Sequence, residues 1–249
     1  MLELSGVSKK YGQATALHPT DLTVPVGRTT VLIGPSGCGK STLLRLMIGL
    51  IQPDTGSVRI DGTPMTPETA LDLRRRMGYV IQDGGLFPHL TARHNVTLMA
   101  RHLGWSAKRT EARLDELADL TQFPRDGLDR YPVQLSGGQR QRVSLMRALM
   151  LDPGVLLLDE PLGALDPMIR ADLQDDLARV FKLLAKTVVL VTHDLQEADF
   201  FADTIALMNE GRVVQRGNLS QLSNAPANEF VTRFLNAQHA RPTAPRETS

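Results

Sequence analysis

Eight consecutive residues, Gly34-Pro35-Ser36-Gly37-Cys38-Gly39-Lys40-Ser41, fit the pattern G-x-x-x-x-G-K-[ST] and follow an apolar run, Thr29 to Ile33, that reads as a buried strand. Glycines let the loop turn its backbone N–H groups inward as an anion nest, and a helix starting at the end of the loop adds positive potential. A lysine in the first turn of a helix opposes the helix dipole unless an anion is bound there, so Lys40 implies phosphate. Ser41 then offers its hydroxyl to Mg²⁺ bridging the β- and γ-phosphates, and Thr42 completes the phosphate-binding set. ATP and Mg²⁺ are therefore the expected ligands. Cys38, the sole cysteine, has no neighbouring histidine to activate it and reads as a small loop residue.

A second group of chemistry-bearing residues lies far downstream. Val155-Leu156-Leu157-Leu158 runs into Asp159-Glu160, an apolar strand ending in two carboxylates at the edge where open α/β sheets bind ligands. Period-two alternation points the two acids in different directions. Asp159 is assigned to the metal and Glu160 to polarising an attacking water, the division that in-line phosphoryl transfer requires. Leu135-Ser136-Gly137-Gly138-Gln139 reads as a further anion site: Ser136 can cap a helix, and the glycines leave N–H groups unobstructed. One ATP cannot use both anion loops of one chain if they lie in different subdomains. The expected solution is a head-to-tail dimer in which the loop Ser136, Gly137, Gly138, Gln139 closes over the nucleotide of a second copy.

The elements that must carry these residues are mixed. At 249 residues and 42% hydrophobic, the chain can bury a substantial core, and a formal net charge of +1 supplies no basic field for nucleic acid. Its apolar runs are strand-sized and fall short of a bilayer span; the first residues lack the pattern of an export signal, and a single cysteine suits a reducing cytosol. Strands are predicted at 2–7, 15–24, 29–33, 57–60, 77–81, 155–158 and 187–191, with a closing hairpin over 206–215 around Glu210-Gly211. Helices are predicted at 91–103, 106–120 capped by Ser106, 137–150, 167–184 and 229–236, with one more opening at Asp194, where Glu197 three residues on suggests a capping box. The fold class is α/β: a P-loop NTPase core over 1–85 and 152–236, its N-terminal part an antiparallel β subdomain, with a helical subdomain inserted over 86–151. Residues 237–249 are expected to form a loose polar tail.

Over about residues 1 to 236 the chain resembles the ATPase subunit of an ABC transporter, and the resemblance rests on the phosphate loop, the Leu135–Gln139 pentapeptide and the Asp159-Glu160 pair taken together. It implies that Tyr11 stacks on adenine, that Gln82 senses Mg²⁺ and the lytic water, that His193 touches the γ-phosphate, and that Gly163-Ala164-Leu165-Asp166 communicates across the dimer. Gly163 departs from the serine frequent there, without removing a ligand. The segment from Met77 to Thr91 is similar to bacterial importers of osmoprotectants such as glycine betaine, choline, carnitine and proline. Leu86, Phe87 and Pro88 fall where that family receives a short helix from its integral membrane permease, and the two apolar side chains could equally serve the subdomain core. The resemblance further implies a separate solute-binding protein and a peripheral location on the cytoplasmic face of the membrane. Many relatives in that class carry paired C-terminal regulatory modules, which the short polar tail here does not resemble, and direct osmotic gating is left an open question. ATPases of lipid or other transport systems, soluble ABC proteins and a nucleotide-dependent regulator without turnover are the competing readings; intact Glu160 and His193 argue against the last.

Overall fold

The computed structural model describes residues 1–239 apart from 83 and 164. Two strands, β1 (Leu2–Tyr11) and β2 (Ala14–Val24), open the chain, followed by β3 (Thr29–Ile33), α1 (Lys40–Met47), β4 (Thr55–Ile60), β5 (Thr63–Pro64), α2 (Ala70–Arg75) and β6 (Met77–Val80). Between β6 and β7 (Val155–Asp159) the described regular structure is helical, with α3 (Ala92–His102), α4 (Ala107–Leu120) and α5 (Gly137–Leu149), and two short 3₁₀ turns between α4 and α5. The chain closes with α6 (Pro167–Leu184), β8 (Thr187–Val191), α7 (Leu195–Phe201), β9 (Thr204–Asn209), β10 (Arg212–Gly217), α8 (Leu219–Asn224) and α9 (Glu229–His239).

Two sheets result. The larger has the order β10-β9-β3-β8-β7-β6 and is parallel except for the β9–β10 hairpin; the smaller is antiparallel with the order β2-β1-β4-β5. Every residue of β3, β7 and β8 is buried, as expected of parallel strands covered on both faces. Alternation along them divides the interior. Val31, Ile33, Leu156, Leu158, Val188 and Leu190 join a core that also takes in Val96, Leu114 and Val143 of the helical segment. Leu32, Leu157, Val189 and Val191 face the other way, onto α1 and the antiparallel sheet. The central sheet is thus clamped between helices and a second sheet, which leaves the carboxyl ends of its strands to carry the chemistry.

Several expectations are adjusted. β1 continues past Val7 to Tyr11 through irregular pairing with β2, starting beyond Leu4 where Gly6 adopts a φ of 58°. Helices α2 and α8 are additional, each of six residues and so too short for a clear apolar period. The capping box expected at α7 is half made: Asp194 accepts from the N–H groups of Gln196 and Glu197, but the Glu197 carboxylate is bonded to Thr192. A complete capping box stands instead at α5, between Ser136 and Gln139. Of the expected polar tail, residues 237–239 continue α9, and 240–249 lie outside the described residues.

Candidate active site

The phosphate loop links β3 to α1. Its backbone is committed to positions only glycine fills: Gly34 has a φ of 153°, and a Cβ there would stand 2.2 Å from the Met208 carbonyl oxygen of β9. At Gly39, φ 105°, a Cβ would stand 2.7 Å from the Ala16 carbonyl oxygen of β2. Both sheets therefore pinch the loop. Lys40 is only 6% exposed, and its Nζ donates to the carbonyls of Gly34 at 2.8 Å and Pro35 at 3.0 Å, lying across the loop. Cys38 donates its N–H to Pro35 and accepts from the N–H of Gly211, which ties the loop to the β9–β10 turn. Burial pushes the Cys38 thiol up despite the neighbouring Lys40 charge, so the residue holds the loop and is not poised as a nucleophile.

Strand register assembles the rest. Asp159 of β7 pairs with Val191 of β8, so the residues just beyond these strand ends are neighbours. Ser41 Oγ donates to Asp159 Oδ1 at 3.4 Å, across 118 residues of sequence. Burial, reinforced by the Glu160 charge and offset in part by the Ser41 hydrogen bond, raises the Asp159 carboxyl above its ordinary value. Glu160 turns away in a left-handed conformation, φ 47°, with its N–H donated to Val191. Its Oε2 then lies 3.3 Å from His193 Nδ1. The two acids face different partners, one a hydroxyl of the phosphate loop and the other an imidazole; β7 ends at Asp159, so the left-handed turn at Glu160, not strand alternation, separates them.

A hard cation would suit the Ser41–Asp159 pair, because both side chains offer oxygen and a buried carboxylate gains from a bound positive charge. Gln82 sits just past β6, the strand beside β7, with an exposed side chain and no side-chain hydrogen bond to another described residue. Tyr11 ends β1 with its ring 48% exposed, available for stacking on a planar group.

The Ser136–Gln139 segment opens α5. Ser136 Oγ accepts from the Gln139 N–H at 3.2 Å, and Gln139 Oε1 accepts from the Ser136 N–H at 3.0 Å. Its glycines do more than clear the N–H groups. A Cβ on Gly138 would lie 2.6 Å from Ile169 Cγ2, and one on Gly137 would lie 3.1 Å from Leu165 Cδ2. Both are small because the start of α6 packs on them. Asp166 caps that helix by accepting from the Ile169 N–H at 3.1 Å. Further along, Arg142 of α5 reaches Asp176 of α6 at 2.7 Å, an ion pair in which the aspartate is 3% exposed.

Other residues of this framework escaped sequence reasoning. Ser144 and Arg147, on α5, both donate to the Gly84 carbonyl at 2.8 Å, and Arg147 also donates to Gly85 at 2.8 Å, holding the loop that follows Gln82. Asn95 is fully buried; it accepts from Phe87 N–H and donates to the carbonyls of Phe87, Leu90 and Thr91, fixing the shape of that loop. Phe87 is 43% exposed while Leu86 packs against the core, so the two apolar side chains divide between surface and interior. A polar side chain on the apolar face of a predicted helix is the one signal that could have marked Asn95, Ser144 and Arg147.

The chain is similar to known proteins over most of its length. The family model described as ABC transporter matches residues 17–163. Among curated proteins, the chain is 46% identical over 235 residues to the glycine betaine uptake system ATP-binding protein YehX of Escherichia coli, covering 94% of this chain and 76% of that one. It is 43% identical over 236 residues to the glycine betaine/carnitine/choline transport ATP-binding protein OpuCA of Bacillus subtilis, covering 94% of this chain but 62% of that relative. It is also 45% identical over 243 residues to the sulfate/thiosulfate import ATP-binding protein CysA of Synechococcus elongatus, covering 98% and 70%. Among solved structures, the dimeric bacterial ABC transporter cassette MJ0796 superposes with a TM-score of 0.81 at 33% identity, covering 88% of this chain and 99% of that one.

Proposed function

The chain belongs to the ABC transporter family as an ATP-hydrolysing, ATP-binding subunit, and from that premise we propose that it powers import of a small osmoprotectant, a quaternary ammonium compound or a related solute, through a separate membrane permease. The observation that carries the catalytic part is the paired geometry at the strand ends, Ser41 with Asp159 and Glu160 with His193. Lys40 and the inward N–H groups of the phosphate loop hold the nucleotide phosphates, and Tyr11 stacks on the adenine. Glu160 accepts a proton from the attacking water; its carboxylate keeps the His193 ring oriented through Nδ1. Held in that way, His193 presents Nε2 towards the γ-phosphate. Ser41 and Asp159, with Gln82 beside them, would hold Mg²⁺, which neutralises phosphate charge when bound.

Ser136, Gly137, Gly138 and Gln139 face the nucleotide of a second copy in a head-to-tail dimer, with Asp166 and its loop communicating across the interface. In the proposed division into an α/β core, residues 1–85 and 152–236, and a helical unit, residues 86–151, the two anion loops belong to different units. Phe87 and the loop held by Asn95 receive the permease, which puts the protein on the cytoplasmic face of the membrane with a solute-binding protein as an indirect partner and without nucleic acid. The identities to YehX and OpuCA support the osmoprotectant reading; the nearly equal identity to CysA supports sulfate as the second. Purification of the tagged chain with its membrane complex tests both. ATPase stimulation by glycine betaine and its binding protein is expected, whereas stimulation by sulfate alone, or a ribosomal partner, would overturn the assignment.

A further inference from the structure

His193 is held by an arrangement that its own contacts do not reveal. On its N-terminal side Thr192 donates its N–H to Leu32 of β3 at 3.2 Å, and on its C-terminal side the Asp194 N–H is donated to Thr192 Oγ1 at 3.0 Å. A threonine hydroxyl has one proton. Here that proton goes to Glu197 Oε2 at 2.6 Å, which turns the oxygen lone pairs towards Asp194. Thr192 is 1% exposed and Glu197 5% exposed, so no water competes for the proton. Asp194 in turn caps α7 by accepting from the N–H groups of Gln196 and Glu197, which returns the chain of bonds to its origin.

We infer that Glu197 is a positioning residue for His193: its buried carboxylate sets the Thr192 hydroxyl, the hydroxyl holds the Asp194 N–H immediately after residue 193, and that backbone aims the imidazole at Glu160. The role in turnover rests on the proposed contact of His193 with the γ-phosphate; the positioning itself does not. Without the acceptor, the hydroxyl is free to rotate and to give its proton elsewhere, the half-buried Asp194 N–H loses its aligned acceptor, and the 3.3 Å contact between His193 and Glu160 loosens. Displacement of a catalytic group by about 1 Å is enough to lower a rate by up to ~10²-fold.

The test uses the full chain carrying Glu197→Ala, Glu197→Gln or Thr192→Val, with His193→Ala to assign the His193 C2 proton by difference. Glu197→Ala is expected to lower kcat for ATP at least ~10-fold with KM within about twofold, and to shift the titration of the His193 resonance. Glutamine keeps an acceptor for the hydroxyl and is expected to restore most of both. Thr192→Val removes the hydroxyl with little change of shape, so it should reproduce Glu197→Ala even if the alanine variant does not fold. A His193 titration identical to wild type in Thr192→Val, or a wild-type kcat in a folded Glu197→Ala, would overturn the inference. Full turnover in His193→Ala would instead remove His193 from hydrolysis, while the resonance still decides whether Glu197 positions it.

Discussion

The strand-end region and the α5 region bind their parts together in opposite ways. At the ends of β7 and β8, side chain meets side chain within one chain, Ser41 with Asp159, His193 with Glu160 and Thr192 with Glu197. At α5, the polar side chains mostly hold backbone: Ser144 and Arg147 the carbonyls after Gln82, and Ser136 and Gln139 one another's N–H groups. The first region is built to position reacting groups, the second to hold a loop and a helix start in fixed shapes. In the proposed head-to-tail dimer, the first region would supply the reacting groups and the second the fixed loop that a second copy presents.

Replacing Glu160 with glutamine gives the sharpest separation. Turnover is expected to fall by ~10²–10⁴, the range of a lost general base, while ATP still binds and the dimer persists, as seen by light scattering with ATP present. Undiminished hydrolysis would remove Glu160 from its role. The complementary change is Gly138→Val, which drives a branched side chain into Ile169 across a 2.6 Å gap. It is expected to cost ~1–3 kcal/mol in denaturant unfolding and to abolish ATP-dependent dimerisation, with nucleotide binding by the monomer retained; an intact dimer would break the contrast between the regions.

These two regions were not equally legible. The phosphate loop, the Asp159-Glu160 pair and the Leu135–Gln139 pentapeptide are each contiguous and recognisable from local residue types, a lysine against a dipole, acids at a strand end, a serine before two glycines, although the contacts that require the glycines come from elsewhere in the fold. Gly138 shows the limit, since its neighbour Ile169 comes from a helix 31 positions away that no local pattern connects to it. Glu197 shows another, because the spacing that suggests a capping box is equally compatible with the contact to Thr192 that forms.

Smaller effects refine the comparison. Asn95→Ala removes four hydrogen bonds to the loop at Phe87–Thr91, and the carbonyls left behind make a cost of ~1–3 kcal/mol the expectation, with basal ATPase activity nearly unchanged and permease-stimulated activity reduced. A parallel loss of basal activity would show that the loop also shapes the hydrolytic site. The smallest effect is one of pH. Burial raises the Glu197 carboxyl above 4.5, partly offset by the Thr192 hydrogen bond, so the native state holds the proton at higher pH than the unfolded chain does. That stability is full below the unfolded value and is lost as pH rises through the folded one. Thermal unfolding from pH 4.5 upward should therefore show a decline in wild type that is shallower in Glu197→Gln; equal slopes would assign the decline to other groups.

By itself the sequence determined the chemistry and the fold class, because a nucleotide phosphate loop and a buried parallel strand are both encoded by short runs of residue type. The tertiary structure decided the pairings. Which hydroxyl faces Asp159, which imidazole faces Glu160 and which carboxylate holds Thr192 follow from the order β3-β8-β7 and its register, set by burial on both faces of the sheet across more than 100 residues of chain.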